Sequence, residues 1–107
     1  MLNFLKSVSA LNDETRVLLL KFLLKHEEMC VCDLQKSFNM IQSRLSRHLK
    51  ILKEAGFVRV ERRGRWAYYG VCESKDVFIK SSIKYIDDLD IPLPVLEKIN
   101  KCSIPKV

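Results

Sequence analysis

The chain has 107 residues, 48% of them hydrophobic, and a formal net charge of +6. That length corresponds to one domain, and the apolar share argues against a disordered chain. The longest apolar stretch, Val17 to Leu24, is broken by Lys21 and too short to span a bilayer. The opening MLNFLKS has neither the basic start nor the long apolar run of a signal peptide. The expected location is the cytoplasm, where the four cysteines are thiols or metal ligands rather than disulfides.

The charge is concentrated. Between Ile41 and Gly70 there are eight basic residues and two acidic ones, a surplus equal to that of the whole chain. This is the electrostatic footprint of a nucleic-acid binder. A membrane-surface patch shows the same bias but needs an exposed apolar face beside it, and here the apolar positions are needed for a core.

Leu2 to Ala10 reads as a short helix with Leu2, Leu5 and Val8 on one stripe; it is too short to stand alone. Asn12 can cap a second helix running to about His26, with Asp13 and Glu14 in the first turn, where the helix dipole favours acids. Leu18 to Leu20 and Phe22 to Leu24 make that helix nearly apolar all round, as befits a central element. A third, short helix is expected from about Val31 to Phe38, with Leu34 and Phe38 inward.

Asn39 breaks the pattern, and a fourth helix begins near Ile41. Ile41, Leu45, Leu49 and Leu52 recur at helical spacing. The opposite face carries Gln42, Ser43, Arg44, Ser46, Arg47, Lys50 and Lys53, donors suited to base edges and phosphates. Two helices this closely joined, the second polar and basic, have the layout of a helix-turn-helix.

After Gly56 the period changes to two. Phe57 to Arg62 alternates as a strand, Arg63-Gly64-Arg65 makes a turn, and Trp66 to Val71 is rich in strand formers. An arginine-tipped hairpin beside a helix-turn-helix reads as a wing, with Arg62, Arg63 and Arg65 placed to meet DNA. Ser74 can cap a last helix through about Leu89, with Ile79, Ile83 and Ile86 on one apolar stripe offered to a partner. The expected architecture is mainly α with a β-hairpin wing. It is a single winged helix-turn-helix domain: dimerisation helices at about 2–10 and 74–89, the helix-turn-helix at about 31–55, and the wing at about 57–71. The leading and trailing helices would join two copies in a symmetric homodimer.

Three segments resemble the ArsR-type arsenic-responsive repressors: Glu28-Met29-Cys30-Val31-Cys32-Asp33-Leu34, the helix from Ser43 into Val58, and Arg63-Gly64-Arg65-Trp66-Ala67-Tyr68-Tyr69. The likeness covers roughly Leu11 to Val71 in order. It implies a homodimer that blocks transcription of a resistance operon and leaves the DNA when arsenite or antimonite binds, with no cofactor needed for DNA binding. Carried over by position, Ser43, Arg44, Ser46, Arg47 and His48 fall in the groove-facing segment, and Cys30 and Cys32 match two thiol ligands. The family's box continues with a third cysteine where this chain has Gln35. Arsenite takes three thiolates in a trigonal pyramid, and soft sulfur ligands suit such an ion. Cys102, Cys72 or a small cellular thiol could supply the third, and Cys102 leads because a tail reaches across a dimer more easily than a strand end does.

Cys30 and Cys32 are two residues apart, about 200° around a regular helix, so gripping one ion requires an unwound helix start. Binding would then distort the helix-turn-helix. Their place near a helix N-terminus favours thiolate. Zinc sites built from His and carboxylates on the last helix find no support, since His26 and His48 lie elsewhere. No nucleophile with a base and no glycine-rich phosphate loop is present, so an enzyme is not expected. Two other readings stay open: a redox-sensing repressor using the same thiols, and a thiol protein or metal carrier that does not bind DNA, which would leave the basic helix without a purpose.

Overall fold

The computed structural model describes residues 1–97. Five helices and three strands follow in the order α1 (Leu2–Leu11), α2 (Glu14–His26), β1 (Glu28–Cys30), α3 (Val31–Phe38), α4 (Gln42–Glu54), β2 (Val58–Arg63), β3 (Trp66–Val71) and α5 (Val77–Asp88). The strands form one antiparallel sheet in the order β1-β3-β2.

Local chemistry sets most of the boundaries. Asp13, rather than Asn12, caps α2, its carboxylate accepting the Arg16 amide at 3.1 Å. Asp76, rather than Ser74, caps α5 by accepting from Phe78 and Ile79; Ser74 instead accepts the Asp76 amide one step earlier. Asn39 ends α3 in the left-handed region at φ 50°, a conformation Asn tolerates. Gly56 (φ 91°) and Gly64 (φ 64°) turn the chain into β2 and across the wing tip.

α2 is the central element. Its Leu19, Leu20, Phe22 and Leu23 are fully buried and share a core with Leu34 of α3, Leu45, Leu49 and Leu52 of α4, and Phe57. Burying a Leu or Phe side chain stabilises by roughly 1.5–3 kcal/mol, so α4 is held firmly by three leucines on one face. Ile79 and Ile86 of α5 also face this core rather than a partner. The apolar side chains that α1 and α5 leave exposed are Leu2, Phe4, Leu5, Val8, Val77 and Tyr85. Phe4 and Phe78 meet edge to face at 5.1 Å, which joins the two helices into one surface.

β1 is the element that periodicity did not reveal. It pairs with β3 through Glu28↔Gly70, Met29↔Tyr69 and Cys30↔Tyr68, which attaches the start of α3 to the wing. After α5 the chain returns across the core, where Leu93 and Leu96 pack, and reaches α3. There Ser37 Oγ accepts the Glu97 amide at 2.8 Å.

Candidate DNA interface and thiol site

α4 presents Gln42, Ser43, Arg44, Ser46, Arg47, Lys50 and Lys53 as exposed side chains opposite its buried leucines. None of Arg44, Arg47, Lys50 or Lys53 forms an ion pair among the described residues. The same holds for Arg62 and Arg65 of the wing, which line a cleft with Gln42 and Ser46 of α4. Helix and wing therefore bring uncompensated positive charge to one side of the molecule. Ile41, expected in the core, is instead exposed at the head of α4, where an apolar side chain can meet a thymine methyl.

One of the expected DNA contacts is corrected. His48 is buried, not groove-facing: its Nδ1 lies 3.1 Å from Arg16 Nη1. Arg16 also donates through Nε to the Ala10 carbonyl at 2.7 Å and lies 3.8 Å from Asp13. One guanidinium thus ties the end of α1 and the start of α2 to α4. Burial pushes the His48 imidazole below its ordinary value; the Asp13 carboxylate raises it, and Arg16, Arg44 and Arg47 lower it further. The sign is physical, because a second positive charge beside Arg16 is unfavourable.

Arg63 is half exposed and has internal partners. Period two turns it to the face of β2 opposite Arg62, where it bonds Glu28 at 2.7 Å and Glu61 at 3.0 Å and lies over the Tyr68 ring at 4.6 Å. Arg59 bonds the same Glu28 at 3.1 Å. The Arg59 hydrogen bond, opposed by burial and aided by Arg63, holds the Glu28 carboxyl below its usual range. Glu28 and Arg16 are the two contributors that sequence reasoning missed. The Asp13–Arg16 spacing was a visible signal for the second, but nothing local marked the first.

Cys30 and Cys32 do converge. Cys30 is the extended N-cap of α3 (φ −68°, ψ 146°) and Cys32 lies in its first turn, so the regular-helix separation does not apply. Their Sγ atoms lie 3.2 Å apart. No unwinding is needed for both to face one ion, which removes the expected distortion of α3 as a requirement. Cys30 is buried, whereas Cys32 opens onto the cleft shared by Gln35, Arg62 and Trp66. Among the described residues no group of three or more His, Cys, Asp or Glu side chains is arranged to hold a metal ion. Cys102 lies outside the described residues.

A basic helix set behind a short helix, with a charged hairpin at its side, defines a winged helix-turn-helix DNA-binding regulator. A family model described as "Bacterial regulatory protein, arsR family" matches residues 13–60. An uncharacterised helix-turn-helix-type transcriptional regulator of Methanocaldococcus jannaschii is 36% identical over 80 residues, 75% of this chain and 86% of that protein. The arsenical resistance operon repressor of Bacillus subtilis is 43% identical over 60 residues, which span 56% of this chain and 57% of the repressor. Reduced HlyU from Vibrio cholerae superposes with a TM-score of 0.66 at 25% identity, covering 78% of this chain and 84% of that one. The chain belongs to the ArsR family of transcriptional regulators.

Proposed function

We propose that the protein is a dimeric repressor that holds operator DNA and releases it when arsenite or antimonite binds Cys30 and Cys32. The observation that carries this reading is the approach of the two sulfurs to 3.2 Å where β1, the strand that pairs with the wing, runs into α3 of the helix-turn-helix. With ion–sulfur bonds of about 2.3 Å, a near-right angle at the ion separates two sulfurs by about 3.3 Å, while a tetrahedral angle needs about 3.8 Å. The name of the Bacillus subtilis relative supports the same inducer class.

Inorganic arsenite has three exchangeable hydroxyls, and the third sulfur is assigned to Cys102. Glu97 docks on Ser37, five residues along α3 from Cys32. That is a rise of about 7.5 Å, while the five residues from Glu97 to Cys102 extend to about 17 Å. The tail can thus reach the pair within its own chain. DNA is read by Gln42, Ser43, Arg44, Ser46, Arg47 and Lys50, with Arg62 and Arg65 on phosphates. α1 and α5 form the dimer face, so that one domain supplies both functions, in the cytoplasm alongside the chromosome. No catalytic role is assigned.

The test is operator binding by the Cys30→Ser, Cys32→Ser double variant. Operator affinity should remain and arsenite should no longer release the DNA; release that persists places the sensor elsewhere. The same short sulfur separation favours one rival, oxidation of the pair to a disulfide by peroxide. Release by peroxide without any metalloid would favour that rival.

A further inference from the structure

We infer that Arg16 is a positioning residue for DNA reading: through His48 it fixes how α4 sits against α1 and α2, a joint that holds only while the imidazole is neutral. This rests on α4 being the helix that reads DNA and adds a control on its placement.

One guanidinium makes the joint. Its Nε donates to the Ala10 carbonyl at 2.7 Å and its Nη2 to the Ser9 carbonyl at 3.4 Å. Both belong to the last turn of α1, where a helix leaves carbonyls short of partners. Asp13 lies 3.8 Å away, just before α2. Arg16 is thus seated on the corner of α1 and α2, its side chain 12% exposed. From α4 it meets His48, donating through Nη1 to Nδ1 at 3.1 Å. Arginine only donates, so Nδ1 must accept, and the imidazole hydrogen belongs on Nε2. A second proton would turn Nδ1 into a donor facing a donor and set two positive charges side by side. Arg16 keeps its hold on α1 in that event, and α4 is the element released.

The bond supplies direction that packing lacks. Leu45, Leu49 and Leu52 hold α4 to the core, but apolar burial is non-directional. A second polar tie, Ser7 Oγ to the Ala55 carbonyl at 3.3 Å, acts at the end of α4 and does not titrate. His48 lies at the middle of α4, beside the exposed Arg44 and Arg47. On a helix about 10–12 Å across, a roll of about 10° moves the outer atoms by about 1 Å. The charged groups acting on the imidazole are Asp13 and Arg16 from the corner and Arg44 and Arg47 from α4 itself. β2 also packs on α4; its Arg59, Glu61 and Arg63 are engaged with Glu28 or with one another, and Arg62 opens on the wing cleft. Burial, with the three arginines and against Asp13, holds His48 below 6.5, so the joint is whole at neutral pH and opens on acidification. The sign is diagnostic. Protonating a histidine adds positive charge, which by itself strengthens binding to a polyanion, whereas loss of the joint weakens it.

The experiment measures affinity for a labelled duplex that the parent chain selects from a random pool. It runs from about pH 8 to about pH 5.5 at fixed salt, over the range in which circular dichroism shows the chain folded. The parent should lose affinity on acidification, by at most about tenfold per chain for each pH unit. His48→Asn, whose amide oxygen can take the place of Nδ1, should bind well and show no such loss. Arg16→Met should bind weakly throughout and also lose the pH dependence. Long-range proton–nitrogen NMR of the parent's two imidazoles, assigned with His48→Asn, reads the tautomer without DNA and should find the His48 hydrogen on Nε2. The inference is overturned if acid leaves the parent's affinity unchanged or raises it, if His48→Asn declines like the parent, or if Nδ1 carries the hydrogen at neutral pH. Arg47→Ala at about pH 8 tests the role of α4 separately: unchanged affinity there removes the premise, whereas the other failures leave α4 as the reading helix.

Discussion

Arg62 and Arg65, rather than Arg63, are the wing residues that face the surface shared with α4, and salt dependence can separate them. Each phosphate contact released changes the slope of log affinity against log salt by about 0.9. In a symmetric dimer Arg62→Ala removes two such contacts, so the slope falls in magnitude by about 1.8. Between about 50 and 200 mM salt that makes the loss of affinity about twelve-fold smaller than in the parent. Arg63→Ala should leave the slope within error of the parent, because its guanidinium is already held by Glu28 and Glu61 on the other face of β2. Fluorescence anisotropy on a labelled operator, run as a salt series for both variants, measures this directly. Equal slope changes in the two would refute the assignment of Arg62 and Arg63 to opposite faces of the wing, and a larger change for Arg63→Ala would reverse it.

Three further outcomes follow from the same geometry. His48 is held below its ordinary pKa of 6.5, so its contribution to stability is fully present above pH 6.5 and is lost as pH falls from there to the lowered value. The urea midpoint of the parent should drop across that window, and His48→Asn, whose amide does not titrate, should flatten the drop. Asp76→Ala should cost about 1 kcal/mol through the lost α5 cap, with Ser74→Ala costing less in the same denaturation assay. Leu5→Glu places charge on the exposed face of α1; sedimentation should show a monomer, and operator affinity should fall with it.

Much of the order of elements is legible because the leucines of α2 and α4 keep a strict helical spacing and the change to period two at Phe57 is abrupt. β1 is not legible. Glu28-Met29-Cys30 is too short to show any period, and it is a strand only because β3 offers it an edge. The caps differ by one or two residues from expectation, because Asn12, Asp13, Ser74 and Asp76 all have suitable side chains and only tertiary position chooses. His48 and Ile41 exchange places for a clear reason. Helical spacing puts His48 among basic residues, but Arg16, on a different helix, gives the imidazole a buried partner. Ile41 falls on the apolar stripe, yet it is the N-cap, where the backbone is extended and helical spacing no longer fixes direction. Arg63 adjoins the turn and so reads as part of the tip, whereas β2 continues through it and the strand period decides its face.

The place of Cys30 ties the thiol pair to the wing as well as to α3. Cys30 closes β1, caps α3, and pairs with Tyr68, whose ring carries the Arg63 guanidinium. Glu28, two residues earlier, clamps Arg59 and Arg63 of the wing. In the proposed function, an ion held by Cys30 and Cys32 therefore acts on the backbone joining the short helix to the wing. Release requires that the ion prefer the DNA-free arrangement, and the preference must be mutual: DNA weakens the ion's binding by the same factor that the ion weakens DNA binding. In the proposed function the link from the thiol pair to the wing runs through the pairing of β1 with β3 and the Glu28 ion pairs.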